Sequence, residues 1–210
     1  DAASGEYLFS MDMGLQNVVS AIDPLTGYKT INPETIPNPE QTRLICSTHY
    51  GSKSWPPSAF NPRTNRLYVS LNEGCIEAGP EGYELLTSGV RLAAALNPDS
   101  NGNMGRIQAL DLGQQQFAWR YRQPSPIISS IMATAGGLIF AGDLNRILRA
   151  FDEETGEILW ETTLDDVPSS TIVTYAVDGI QYLAVAVGQT SYYVNDWSRM
   201  YDLLDRKSVV

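Results

Sequence analysis

Residues 150–160 read Ala-Phe-Asp-Glu-Glu-Thr-Gly-Glu-Ile-Leu-Trp, and the frame inside that stretch decides the fold. The apolar residues before Asp152 alternate as in a strand, Glu153 to Gly156 has turn composition, and Glu157 to Trp160 opens a second strand. Each fixed position has a physical task. The Asp152 carboxylate can accept backbone N–H groups within the turn, Gly156 can take a positive φ, and small Ala150 leaves room for an indole from a neighbouring strand. Two weaker copies stand upstream: Ala109, Asp111 and Trp119 with Gln115 at the glycine position, and Ala21, Asp23, Thr26 and Gly27 with Ile31 at the tryptophan position. One such hairpin is common in any β protein, whereas three in one frame make a tandem β-repeat.

Local antiparallel strand order and a tryptophan placed to pack between repeats predict an all-β chain of four-stranded β-propeller blades. Residues 5–31 read as a blade end with Glu6 to Met11 strand-like, and a Pro-rich connection follows over 32–45. A blade with a long insertion spans 55–119. Its strand-like Arg66 to Leu71 is followed by about thirty residues rich in Gly, Pro, Asn and Glu, within which Gly89 to Leu96 reads as one short helix. Residues 127–160 form a compact blade, and 171–193 hold a final partial blade around the turn Asp178-Gly179. A chain of 210 residues has room for about four blades, which either close on themselves or form an arc of a larger ring. Loops of several blades meet on one rim of a propeller, so the insertion is where substrate selection is expected.

A net charge of −10 argues against nucleic acid or an anionic membrane surface as partner. No apolar run approaches the length that crosses a bilayer as a helix. The sequence opens on Asp1 without an initiator Met, and the expectation drawn from it is a processed or cut chain. In an oxidising compartment Cys46 and Cys75 would close a disulfide worth about 3 kcal/mol; in a reducing one they would be two buried thiols. Neither stands in a CxxC pair.

Nucleophilic and histidine-based metal catalysis find little support. His49 is the single histidine and sits in a Gly/Ser-rich stretch, and no Gly-x-Ser-x-Gly elbow occurs. Asp99-Ser-Asn101-Gly-Asn103 begins like a calcium loop, but Met104 stands where the glycine belongs and Leu110 where the bidentate Glu belongs, which leaves an Asn/Gly turn. Glycine-rich nucleotide motifs are absent.

The run Ala133-Thr-Ala-Gly-Gly-Leu-Ile-Phe-Ala-Gly-Asp143, followed by Leu148 to Asp152 and the turn to Trp160, resembles the quinoprotein alcohol dehydrogenases, which use pyrroloquinoline quinone (PQQ). Cys46 to Trp55 with Pro56 to Pro62 and Leu67 to Val69 is similar to their tryptophan-containing blade entry, and Thr174-Tyr175 with Asp178 to Tyr182 to their final blade. The resemblance covers roughly residues 44–190. It implies the C-terminal arc of an eight-bladed propeller, with the remaining N-terminal blades elsewhere, on the same or a separate chain. It also implies a periplasmic location, PQQ and calcium, with the catalytic aspartate and metal ligands in earlier blades. No catalytic base and no metal ligand is therefore assigned in this chain.

PQQ is a flat tricarboxylate, so its pocket needs an aromatic plane and hydrogen-bond donors. By position, the resemblance places Trp55 in the quinone wall, with Ser54 where the family has an asparagine and Ile128 where it has a tryptophan. Ser129 and Ser130 replace usual glycines and offer donors, and Tyr192 matches an aromatic residue after the last strand. The implied reaction moves two electrons and two protons from an alcohol to the quinone, and the cysteine-flanked entry and insertion point to sugars, polyols or larger alcohols. The resemblance implies that electrons pass to a cytochrome c or a membrane quinone; no Cys-x-x-Cys-His occurs here, so any haem is expected on another protein. The competing reading is a non-catalytic PQQ-like-repeat propeller serving as a protein-binding scaffold. It explains the repeat frame, but not the Cys46 to Pro62 entry.

Overall fold

The computed structural model describes residues 1–82, 84–85, 89–188 and 191–207. Its strands run β1 (Val19–Ile22), β2 (Lys29–Ile31), β3 (Arg43–Cys46), β4 (Ala59–Asn61), β5 (Arg66–Asn72), β6 (Gly74–Gly79), β7 (Glu84–Leu85) and β8 (Arg91–Leu96). They continue with β9 (Gly105–Asp111), β10 (Gln116–Gln123), β11 (Met132–Ala133), β12 (Leu138–Gly142), β13 (Ile147–Asp152), β14 (Ile158–Thr163), β15 (Ile172–Val177) and β16 (Ile180–Val185), and the helix α1 (Tyr192–Lys207) follows. All sheet pairings are antiparallel. The chain divides into two compact units, Asp1–Ser52 with Gly74–Asp99, and Lys53–Glu73 with the residues from Ser100 on.

The first unit holds the β1–β2 hairpin and a four-stranded sheet in the order β3-β6-β8-β7. Cys46 and Cys75 face each other in register across β3 and β6 and form a disulfide, with Cα atoms 4.3 Å apart. Asn17 fixes the end of β3: its Oδ1 accepts the Cys46 N–H at 2.8 Å and its Nδ2 donates to the Leu44 carbonyl at 2.9 Å. Ile76, Ala78, Val90 and Leu92 form the core beneath this sheet. Two expectations are corrected here. Gly89 to Leu96 is not a helix: Arg91–Leu96 is the strand β8, paired along its length with β6. Its alanines favour helix only in isolation, and the waiting edges of β6 and β7 outweigh that preference. Glu6 to Met11 forms no strand; its exposed residues bury too little to hold a ladder.

The second unit contains two complete four-stranded meanders, β4-β5-β9-β10 and β11-β12-β13-β14, and the two-stranded β15–β16. Tyr68, Ile107, Ala109, Trp119, Ile127, Ile131, Ile139, Ala141 and Phe151 form one buried cluster contributed by both meanders. The repeat turn fastens them together. Trp119 lies over Gly156, where an added Cβ would sit 2.6 Å from the indole, and its Nε1 donates to the Glu153 carbonyl at 2.8 Å. The Glu153 side chain, 1% exposed, accepts from Asn61 Nδ2 at 2.6 Å and Thr64 Oγ1 at 2.9 Å.

All three copies of the frame build the same turn. Asp152 Oδ1 accepts from the N–H groups of Glu154 and Thr155, and Asp23 Oδ1 from those of Leu25 and Thr26. These bonds hold both carboxyls below the usual aspartate range. Gly156 and Gly27 take φ of 75° and 73°, and Gln115 takes 53° without the benefit of being glycine. Opposite the small alanines, Trp160 pairs with Ala150 and Trp119 with Ala109. Trp160 is 47% exposed, unlike buried Trp119.

The helix α1 is an addition to the all-β elements expected from the sequence, although its signals are present there. Ser191 caps it, accepting the Val194 N–H at 3.1 Å on its hydroxyl. Tyr193, Val194, Trp197, Met200 and Leu204 then follow at helical spacing and are buried. No helix among the described residues is long and apolar enough to cross a membrane.

Candidate functional site

Several residues singled out in the sequence come together in the second unit, where chain enters β4 and where it passes from β10 to β11. Trp55 lies on irregular chain between 53 and 58 and exposes about half its surface (52%). Its ring meets Tyr193 edge-on, with centroids 6.0 Å apart and planes at 74°. The Lys53 ammonium straddles it, donating to the Ser54 carbonyl at 2.6 Å and also to that of Pro56. Partial burial pushes this amine below the ordinary lysine value. Both bonds fall on carbonyls flanking the indole, so the loop is held on either side of it. Ser54 is half-buried beside them.

Ile128, Ser129 and Ser130 are fully buried. The Ile128 and Ser129 N–H groups reach the Gly142 carbonyl at 3.1 and 3.3 Å. Ser129 Oγ accepts the Gly142 N–H and donates to the Ser130 carbonyl, both at 2.7 Å. Ser130 Oγ accepts the Ile172 N–H at 2.8 Å. The serines thus stitch the loop to β12 and β15, and the Ser130 hydroxyl keeps its proton for another acceptor. Tyr192, 70% exposed, opens α1.

Three residues were missed from sequence. Asn72, at the end of β5, binds both backbone groups of Ile127 and reaches Tyr193 Oη at 3.0 Å. Tyr193 is 7% exposed, and burial pushes its hydroxyl pKa up to about 12, against a smaller opposing effect of the Asn72 bond. Lys53 is the third. Helical periodicity from Tyr193 to Leu204 could have revealed the tyrosine, but Asn72 shows only as a polar residue ending an apolar strand.

Behind this loop lies a buried ionic cluster. Glu73 is wholly buried, and its Oε1 accepts from Arg106 Nε and Arg122 Nε at 2.7 Å each. Such a pair is stabilising only while all partners remain, since removing one leaves a buried charge. Asp143 is similarly held by Arg149 at 2.6 Å and Gln123 at 3.0 Å.

The chain matches the PQQ family model described as glucose/ethanol/alcohol dehydrogenase, beta-propeller domain, over residues 91–183. It is 30% identical over 147 residues to the quinoprotein alcohol dehydrogenase PedH of Pseudomonas putida, covering 69% of this chain and 25% of that protein. It is 28% identical to the lanthanide-dependent methanol dehydrogenase of Methylorubrum extorquens, covering 90% of this chain and 34% of that one. A solved quinohemoprotein alcohol dehydrogenase of Pseudomonas putida superposes with a TM-score of 0.73 at 26% identity, covering 90% of this chain and 30% of that chain. The matching model and these relatives are quinoprotein alcohol dehydrogenases, and the chain is similar to one part of them. Its meanders are therefore β-propeller blades, and it spans a quarter to a third of the length of these relatives.

The residues of this chain fit one part of a PQQ site and not another. A half-exposed indole with a fixed edge-on backing, a lysine amine and a buried serine hydroxyl suit one wall of a site for a flat polycarboxylate. Among the described residues no three His, Cys, Asp or Glu side chains converge, so they supply no donor set for a metal ion. His49 is exposed and stacks at a tilt on Tyr50, 4.2 Å between centroids, in the first unit. Pro98–Ser100 is a single 3-10 turn followed by positive φ at Asn101 and Gly102.

Proposed function

We propose that this chain is the C-terminal arc of an eight-bladed quinoprotein dehydrogenase that oxidises an alcohol of the sugar, polyol or larger-alcohol class. Trp55 carries this reading: its half-exposed indole is held edge-on by a buried tyrosine and clamped by a lysine. PQQ, when bound, supplies the two-electron acceptor for the alcohol. The chain's own residues orient and neutralise: Trp55 offers an aromatic plane, Lys53 a positive charge beside it, and Ser54 and Ser130 hydroxyl donors. Calcium ligands and the base that takes the alcohol proton belong to the other blades. The remaining expectations stand with this proposal: a periplasmic protein delivering electrons to a cytochrome c or a membrane quinone.

Titration of the full-length protein with PQQ in calcium, followed by tryptophan quenching and dye-linked oxidation of ethanol and sorbitol, tests it. Saturable quenching and oxidation are expected, and Trp55→Ala should weaken PQQ binding about tenfold or more, from lost stacking worth about 1–3 kcal/mol. Absence of both quenching and oxidation would favour the protein-binding scaffold.

A further inference from the structure

Trp55 sits on a stretch without ladder bonds, so something other than a strand must set its orientation. Its indole meets the ring of Tyr193, and Tyr193 in turn meets Trp197 on α1, with centroids 6.3 Å apart and planes at 70°. The tyrosine hydroxyl is tied to Asn72. That residue closes β5, which is hydrogen-bonded to β4 on one side and β9 on the other and so cannot slide. The next residue, Glu73, is anchored by Arg106 and Arg122.

We propose that Asn72 and Tyr193 form a positioning latch that sets the Trp55 indole and the 127–130 loop, which makes α1 part of the cofactor wall. Both amide hydrogens of the Asn72 carboxamide, and its oxygen, are engaged. Its Oδ1 accepts the Ile127 N–H at 3.1 Å, while its Nδ2 donates to the Ile127 carbonyl at 3.3 Å and to Tyr193 Oη at 3.0 Å. One 2%-exposed side chain therefore joins the immobile end of a central strand to the loop on one side and to the helix on the other. A buried donor left without its acceptor costs more than the bond contributes, so the tyrosine ring is held in a single rotamer. Because Trp55 meets that ring by its edge, a rotation of Tyr193 re-aims the indole. The role of the latch in cofactor binding rests on the proposed reading of Trp55, whereas its effect on the orientation of Trp55 does not.

The test uses the full-length protein labelled with 5-fluorotryptophan, the Trp55 resonance being identified by its loss in Trp55→Phe. Tyr193→Phe keeps ring volume and apolar packing and removes only the hydroxyl, so a helix that merely packs predicts no change. The latch predicts that the Trp55 resonance shifts and broadens in ligand-free Tyr193→Phe and Asn72→Ala, while those of Trp119 and Trp160 stay in place. It also predicts a PQQ dissociation constant raised about three- to tenfold, the loss of one hydrogen bond. If Asn72→Ala disturbs Trp119 as well, Tyr193→Phe decides. An unmoved Trp55 resonance in Tyr193→Phe overturns the latch. If PQQ leaves the wild-type Trp55 resonance unmoved, the cofactor reading fails, and the ligand-free spectra still judge the latch.

Discussion

Gly156 has two independent reasons to be glycine: a φ of 75° and an indole where a Cβ would go. Gly156→Ala should therefore destabilise by about 2–4 kcal/mol in urea unfolding, backbone strain adding to overpacking against Trp119. Gln115 occupies the same place in another copy with φ of 53°. Gln115→Gly should be neutral or stabilising by up to about 1 kcal/mol, because relief of the left-handed conformation competes with greater unfolded-state entropy. Tyr193 offers a prediction of another kind. Its folded pKa of about 12 lies above the unfolded value near 10, so its contribution to stability is complete below pH 10 and is lost as pH rises towards 12. Tyr68, also pushed up to about 12 by burial, acts in the same window. Tyr193→Phe should flatten the fall of unfolding free energy between pH 10 and 12, and an unchanged slope would show that the hydroxyl titrates alike in the folded and unfolded states.

At the scale of elements, the repeat turn is an inter-sheet fastening as well as a hairpin. Trp119 leaves β10, covers Gly156 and bonds the Glu153 carbonyl, while Glu153 reaches back to Asn61 and Thr64 beside β4. Trp160 occupies the equivalent place on β14 but remains half-exposed. Trp119→Ala should cost about 3–5 kcal/mol and Trp160→Ala no more than about 1 kcal/mol in parallel urea titrations. Comparable losses would mean that Trp160 is covered in solution. The sequence frame announced both tryptophans alike; only the neighbouring turn distinguishes them. The serines of the β10–β11 connection show a similar limit. Their identity is plain in the sequence, yet their commitment to Gly142, Ser130 and Ile172 depends on a loop folding against two other strands.

At the scale of the molecule, the surface around β14 to β16 is unusually apolar. Ile158, Leu159, Trp160, Val173, Tyr175, Val177, Ile180 and Tyr182 are each 43–59% exposed, and Tyr175 and Tyr182 stack across the two strands at 5.3 Å. Clusters of that kind mark surfaces that are covered by something. The 210-residue chain by itself should therefore associate with rising concentration in sedimentation velocity despite a net charge of −10, whereas the full-length protein should not. A chain that stays monomeric at high micromolar concentration would contradict this.

The sequence by itself determined the repeat, its turns and the antiparallel meanders, because those rest on local chemistry: an aspartate capping N–H groups, a left-handed residue, alternating apolar positions. It determined the all-β class and the facing cysteines as candidates for a bond. Tertiary structure decided the rest. Arg91–Leu96 became a strand against its own preference because paired edges were available, and β6, β7 and β8 joined β3 in a sheet of their own. Asn72 became the centre of the candidate wall because three segments far apart in sequence, at 55, 127 and 193, converge on it or on its tyrosine partner. Convergence of that kind has no sequence period, so no pattern in the chain could have displayed it.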